Sequence, residues 1–378
     1  MGDPQVQTAR GVLELHEKGY GFLRDPGRDF RPTGNDVFVP PGLVKKWGLK
    51  AGVALEGPLH ADRRGRGLQL ADVTSIGGRP PDAYRALVPF DRLTVVDPYE
   101  PLWLETRPDL LTTRVVDLLV PIGKGQRALI VSPPRAGKTI LLEHMASAVR
   151  TNHPDVKVVM LLVDERPEEV THFRRSIPGA AVLASSNDQD VEQHVRLSRM
   201  AFAQARAEVE FGGDVVLFMD SLTRLGRAFN KAIPSSGRTM SGGVDIRALE
   251  EPKRMFGAAR KIEGGGSLTV VATCLIETGS RMDELIFQEF KGTGNMECVL
   301  SRELAERRLF PAIDILASGT RKEEKFVSAG ELRKRFAIRR RLAGEKPVEA
   351  LEALLKALQS YPTNKDLLDA LEPGKTSS

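Results

Sequence analysis

The chain has 378 residues, 41% of them hydrophobic and 28% charged, with a formal net charge of +5. That length provides for two or three domains, and the balance excludes a disordered or fibrous protein. The positive charge accommodates a polyanionic partner but fits plain solubility as well; Cys274 and Cys298, spaced for neither a metal nor a redox motif, suit a reducing cytoplasm, and no apolar run reaches membrane-span or secretory-leader length.

Residues 1–75 read as β-rich. Short apolar runs at 11–15, 21–23, 36–39 and 53–55 are separated by Gly, Pro, Asn and Asp, the spacing of a small barrel. Within Lys18-Gly19-Tyr20-Gly21-Phe22-Leu23-Arg24, Tyr20 and Phe22 stand two apart and share one face of a strand. Phe38 is placed to join them from a neighbouring strand. Exposed rings with Arg24 beside them make a stacking platform for single-stranded nucleic acid; the competing reading is three core aromatics. Arg63, Arg64 and Arg66 add charge nearby. Residues 76–110, rich in Pro and charge, read as a connector wrapped on a neighbour.

From 111 to 378 the pattern alternates strand and helix. Near-continuous apolar runs at 127–132, 156–164, 180–184, 215–220 and 268–275 fit strands buried on both faces of a mainly parallel sheet. Helices are expected at 138–150 and 190–211, and across 330–372 as a cap. The class is α/β, doubly wound.

Ser132-Pro133-Pro134-Arg135-Ala136-Gly137-Lys138-Thr139 lies between an expected strand and an expected helix, the setting of a phosphate-binding loop. Backbone N–H groups from Pro134 to Gly137 would surround the phosphates of ATP, apart from the proline. Lys138 would reach the outer phosphates, and Thr139 would hold Mg²⁺. Ser132 stands where the general pattern has Gly. Asp220 ends an apolar strand and is the natural second Mg²⁺ partner, or else an N-cap. Glu165 ends another strand and could polarise the attacking water, or simply favour the next helix together with Glu168 and Glu169. Arg308 and Arg321 are candidates for stabilising the transition-state charge. Two Gly-rich loops follow the later strands: 235–243, carrying Arg238, Thr239 and Met240, and 277–281, carrying Thr278, Gly279 and Arg281. In a ring they could line a pore.

Taken together these residues resemble the bacterial transcription termination factor Rho family, from about residue 10 to beyond 340. The specific pieces are Pro-Pro-Arg-Ala-Gly-Lys-Thr at 133–139, Asp-Glu-Arg-Pro-Glu-Glu at 164–169 and Asp-Ser-Leu-Thr-Arg-Leu at 220–225. Glu-Phe-Lys-Gly-Thr-Gly-Asn-Met-Glu at 289–297, Arg-Leu-Phe-Pro-Ala-Ile-Asp at 308–314 and Ser-Gly-Thr-Arg-Lys-Glu-Glu at 318–324 continue the series. The resemblance implies a RecA-like P-loop ATPase domain preceded by a small OB/cold-shock β-barrel. It implies a homohexamer that binds single-stranded RNA, hydrolyses ATP with Mg²⁺, unwinds RNA–DNA 5′-to-3′ and releases transcripts. Its partners would be the RNA polymerase elongation complex and a transcription elongation factor. Glu165 takes the water-activating position, and Arg321 and Arg308 take positions acting on ATP of the adjacent protomer. Phe310 takes the adenine-stacking position, Arg135 and Arg166 positions around the phosphates, and Lys291 a link from pore to ATP site. In this light Ser132 is unexceptional.

Departures accompany the likeness. The helical segment preceding the barrel in many members is expected to be missing, and Gly67 falls near a position where the family has Tyr, so the usual pyrimidine preference is not expected to carry over unchanged. Arg281 stands where Lys is common, and Tyr20 where many members have Phe. A rotary ATP-synthase-type subunit and a nucleic-acid-binding module with a dead ATPase are the alternatives.

Overall fold

The computed structural model describes residues 7–61, 67–234, 237–240 and 242–371. Six short strands come first: β1 (Thr8–Leu15), β2 (Gly21–Arg24), β3 (Val37–Val39), β4 (Ala54–Ala61), β5 (Leu68–Leu70) and β6 (Ser75–Ile76). Their order is β1-β2-β3-β5-β4-β6, and an extra β1–β4 pairing closes the sheet into a barrel. Closure removes the open edges that short strands would otherwise present. Alternation supplies the core: Leu13, Leu23, Val39, Leu55 and Leu70 point inward and are buried, while the residues between them face out.

The connector does not leave the two sheets as separate bodies. β7 (Val95–Val96) pairs with β14 (Arg260–Ile262), so the segment after the barrel joins the edge of the larger sheet. That sheet also contains β8 (Arg127–Ser132), β9 (Lys157–Glu165), β10 (Ala181–Ser186), β11 (Asp214–Asp220), β15 (Ser267–Leu275), β16 (Met296–Val299) and β17 (Gly319–Thr320). A separate two-stranded ribbon pairs β12 (Thr239–Met240) with β13 (Val244–Asp245). The nine-stranded sheet has the central order β10-β9-β11-β15-β8-β16-β17. Its strands from β10 to β16 are parallel, and β17 returns antiparallel.

Parallel strands need helical crossovers, and those helices cover both faces. Lys138–Asn152 and Pro167–Ser176 pack on one face with the C-terminal helices, and Val191–Glu210 and Leu222–Ala232 on the other. Residues such as Leu129, Leu161, Leu217 and Val270 are fully buried, each burial contributing roughly 1.5–3 kcal/mol. The helix Ala329–Leu342 is held by its own Arg335 and Arg339, which donate to the carbonyls of Asp117 and Leu119, and the helices Pro347–Ser360 and Asn364–Asp369 are tied down by Arg114, itself fully buried. Its guanidinium donates to the carbonyls of Pro108, Leu358 and Tyr361 and to Asn364 Oδ1.

The barrel sits against the helix Val191–Glu210. Glu14 accepts from Arg196 at 2.9 Å, Asp29 accepts from Arg174 and from the Ala184 N–H, and Lys50 pairs with Glu210 at 2.9 Å. A Cβ on Gly52 would fall 2.1 Å from the Ala203 backbone, so this approach requires glycine.

Candidate active site and nucleic-acid interface

β8 delivers the chain into the loop 133–137, and Gly137 turns it into the helix Lys138–Asn152 with φ +89°. A side chain there would be strained by that backbone and would also come within 3.2 Å of the Phe310 ring. Phe310 is 44% exposed, so it lies over the loop with ring surface still in solvent. Arg135 adopts a left-handed φ of 66°, and Ala136 is buried beneath the turn. Pro134, Arg135 and Arg308 line one cavity of about 380 Å³ with Arg302, Ala305 and Glu306.

Three parallel strand ends then bring the charged groups together. Lys138 Nζ is ion-paired with Asp220 Oδ2 and lies 4.0 Å from Glu165 Oε2. Asp220 is fully buried at the end of β11, where Thr273 Oγ1 donates to its Oδ1 at 2.8 Å. The alternative role for Asp220, capping the next helix, falls to Ser221, whose side chain accepts from the Arg224 N–H. Glu165 is likewise separated from its neighbours in sequence. Glu168 and Glu169 occupy the first turn of the helix Pro167–Ser176, whereas Glu165 is the last residue of β9 and fully buried. Burial, and then the charge of Asp220, push its carboxyl up to about 7, against the pull of Lys138 and Arg224. Its Oε1 accepts from the Arg166 N–H at 3.0 Å, and its Oε2 has no hydrogen-bond partner. Buried polar atoms are normally satisfied, so Oε2 marks a place for a hydrogen-bonding ligand or water.

A carboxylate on a strand end and the Thr139 hydroxyl, which donates to Glu169 at 3.3 Å, form a hard-oxygen pair. Mg²⁺ takes such a pair along with substrate phosphates and water, and no cluster of three or more His, Cys, Asp or Glu suited to a metal exists among the described residues. The donor set fits a nucleotide-bound Mg²⁺.

Arg321 and Arg308 part company. Arg321 follows β17, and its N–H donates to the Asn295 carbonyl, while the Asn295 N–H donates to the Arg127 carbonyl. That places Arg321 at the start of β8, and the phosphate loop leaves from the other end. The six residues of β8 separate the two ends by roughly 17 Å at strand rise. Arg308 instead lies beside its own chain's loop, as the shared cavity shows. Arg308 thus lies close to the loop of its own chain, whereas the backbone of Arg321 lies away from it. Arg166 is the exposed N-cap residue before the helix at 167.

Arg224 escaped the reading of the sequence. It bridges the strand ends, lying 3.1 Å from Glu165 Oε1 and donating to the Asp164 carbonyl. Its only sequence signal is a place one turn after Asp220, which does not specify a partner on β9.

On the barrel, Tyr20, Phe22 and Phe38 form a cluster with ring centroids 5.5–5.8 Å apart. All three are part-exposed on the outer face, so they are not the barrel's core. His16 stacks on Tyr20 at 4.5 Å. Arg24 differs from an open RNA contact: it is 8% exposed, pairs with Glu14 and Asp36, and supports Phe22 from 4.8 Å. Arg63, Arg64 and Arg66 lie outside the described residues, as do Ser235, Ser236 and Ser241.

The two Gly-rich loops meet. A Cβ on Gly242 would fall 2.8 Å from the Arg281 carbonyl, so the segment after Arg238, Thr239 and Met240 packs on the loop holding Thr278 and Gly279. Thr278 donates to Asp283, which also pairs with Arg227. Arg281 opens the helix Arg281–Lys291, its side chain exposed.

A phosphate loop after the central parallel strand β8, with buried acids at the ends of β11 and β9 in the same sheet, defines a RecA-like P-loop ATPase; here an OB-like barrel is docked on it. Residues 112–320 match the ATP synthase alpha/beta family nucleotide-binding domain, and residues 9–82 match the Rho termination factor RNA-binding domain. Transcription termination factor Rho of Aquifex aeolicus is 48% identical over 96% of this chain and 84% of its own length. That of Thermotoga maritima is 44% identical over 97% and 86%, and that of Micrococcus luteus 48% over 97% and 54%. The chain belongs to the transcription termination factor Rho family, and it is an ATP-hydrolysing enzyme with an RNA-binding domain. A type III secretion ATPase shares the fold, with a TM-score of 0.61 at 23% identity over 74% of this chain and 86% of the other.

Proposed function

We propose that the protein is a hexameric, RNA-dependent ATPase and RNA–DNA helicase that terminates transcription in the cytoplasm. The observation that carries this reading is the separation of Arg321 from its own chain's phosphate loop, beside a barrel bearing stacking rings. An ATP site missing its finger is completed by a neighbouring subunit. In a ring this happens at every interface.

Lys138, the backbone of the loop 134–137 and Arg135 hold the triphosphate, and Phe310 stacks on adenine. Thr139 and Asp220 hold Mg²⁺, which neutralises phosphate charge when bound. Lys138 exchanges its Asp220 partner for phosphate oxygens. Glu165, its Oε2 otherwise unpartnered and Arg224 fixing its Oε1, orients the attacking water and receives its proton. Arg308 acts at the edge of its own site, while Arg321 reaches the γ-phosphoryl group held by the adjacent protomer. Tyr20, Phe22 and Phe38 grip RNA outside the ring, and the loops carrying Arg238, Thr239, Met240, Thr278, Gly279 and Arg281 hold it in the pore. Lys291 connects those loops to the ATP site. RNA polymerase and an elongation factor are the partners this activity serves.

The test is ATP turnover with and without single-stranded RNA. At least a tenfold stimulation is expected; RNA-independent turnover would favour a rotary-type motor, and none at all an inactive module. Lys138→Ala should abolish hydrolysis while RNA binding by the barrel survives.

A further inference from the structure

Strand pairing lines up a single row of residues across the outer face of the barrel. Glu14 on β1 is opposite Phe22 on β2, Phe22 is opposite Phe38 on β3, Phe38 is paired with Gln69 on β5, and Gln69 with His60 on β4. Directly paired residues project from the same face, so the five side chains form one band. It starts at the motor, where Glu14 meets Arg196, and passes over two aromatic rings. It then ends on an amide and an imidazole. Three strand spacings of ~4.8 Å carry it roughly 14 Å from Phe22 to His60, beyond what two stacked bases cover.

We propose that Gln69 and His60 form a further subsite on this band, in which Gln69 hydrogen-bonds the edge of an unpaired RNA base and His60 fixes the orientation of its amide. This rests on the reading of the barrel as an RNA-binding surface. Gln69 Nε2 is hydrogen-bonded to His60 Nε2. An amide nitrogen only donates, so in this pairing the imidazole nitrogen accepts. Gln69 keeps its carbonyl oxygen and its second N–H, and among the described residues neither has another partner. One acceptor beside one donor on a rigid amide is the pattern that pairs with a base edge. Space for the base exists. Among the described residues, a Cβ on neighbouring Gly67 would meet nothing within 4 Å, and His60 is exposed. The occupant is the same strand whose preceding bases stack on Phe22 and Phe38, because the band is continuous with those rings.

The experiment is fluorescence anisotropy of the whole protein with labelled rC, rU and rA oligonucleotides at one salt concentration, alongside an abasic oligonucleotide of equal length. Gln69→Ala, and Gln69→Leu as a variant closer in size, should weaken binding of at least one homopolymer about 5- to 100-fold and change the ranking of the three. Neither should alter binding of the abasic strand. His60→Ala should reduce the differences among the bases while preserving most of the affinity. Unchanged affinities for all three homopolymers in both Gln69 variants would overturn the subsite. Phe38→Ala separates the two claims. If it weakens every base-bearing strand while the Gln69 variants do not, the subsite alone fails; if it too has no effect, the RNA-binding reading of this face fails.

Discussion

Mixing two inactive variants tests whether the ATP site is shared between subunits. Lys138→Ala removes the phosphate contact and keeps the finger, whereas Arg321→Ala keeps the contact and removes the finger. Within one chain the finger's backbone is fixed at Asn295, beside Arg127, and the loop begins beyond Ser132. The intervening strand spans roughly 17 Å, more than an arginine side chain bridges. Each variant alone should lose about 10³- to 10⁵-fold in turnover if the finger stabilises the phosphoryl-transfer charge. In rings assembled from equal amounts of both, about one quarter of the head-to-tail interfaces pair an intact loop with an intact finger. Up to roughly a quarter of wild-type turnover should therefore return if the sites fire independently, and less if they must fire in sequence around the ring. The assay is RNA-stimulated phosphate release after co-refolding, with separately refolded samples mixed afterwards as the control. Complete absence of recovery, in rings shown to contain both chains, would refute the shared site.

Glu165→Gln should lower kcat by about 10²–10⁴ with ATP affinity retained, and an undiminished kcat would remove Glu165 from the role of base. The same variant should not lower the thermal midpoint, because burial raises this carboxyl to about 7, so ionising it near neutral pH costs the fold stability that a neutral amide does not. Gly137→Ala combines a φ of +89° with contact against Phe310, so a titration with a fluorescent ATP analogue should show at least a roughly tenfold loss of affinity. Arg114→Met leaves the carbonyls of Leu358 and Tyr361 without their donor and should cost about 3–5 kcal/mol in denaturant unfolding. Asp117 gives a pH signature. Burial pushes its carboxyl up to about 7, although the N–H groups of Leu104 and Glu105 hold it down. A raised acid stabilises the fold fully below its unfolded value near 4 and loses that contribution as pH rises toward 7. Against the wild type, Asp117→Asn should therefore gain relative stability between pH 4 and 7 and change little above; a flat difference across that window would contradict it.

Sequence alone revealed those parts of the motor whose signal is local. The runs that became β11 and β15 are apolar throughout because both faces of a parallel strand are buried, and Lys138 sits at a strand-to-helix turn that any phosphate loop requires. Asp220 and Glu165 could not be separated from helix-capping roles until the strand ends were placed, since an acid before a helix suits either use. β7 and β17 have two residues each, too few to express a period, and their pairing depends on segments far away in the chain. The contact of Phe310 with Gly137 has the same origin, as does the bridge from Arg224 to Glu165. The surroundings of Arg24 were illegible for a different reason. An arginine beside stacking rings on a strand looks like a phosphate contact, but its charge is already met by Glu14 and Asp36.

Those ion pairs also bear on how the two halves divide the work. Glu14 is shared between Arg24, under the stacking ring of Phe22, and Arg196 on the motor helix. Asp29 and Lys50 make further ties, and Gly52 and Gly77 allow contact too close for any side chain. The Glu14–Arg196 pair is part-buried, the Asp29 and Lys50 pairs are more exposed and individually weaker, and all would have to part together for the barrel to swing. In the proposed function, RNA on the barrel would thus keep a fixed position relative to its own motor domain. In the proposed ring, the displacement that moves RNA then falls to the loops carrying Arg238 and Arg281, which pack on each other, and to the interface that would bring Arg321 to a neighbour. A fixed outer grip with a moving inner one gives ATP hydrolysis something to pull against, and it requires no hinge between barrel and motor.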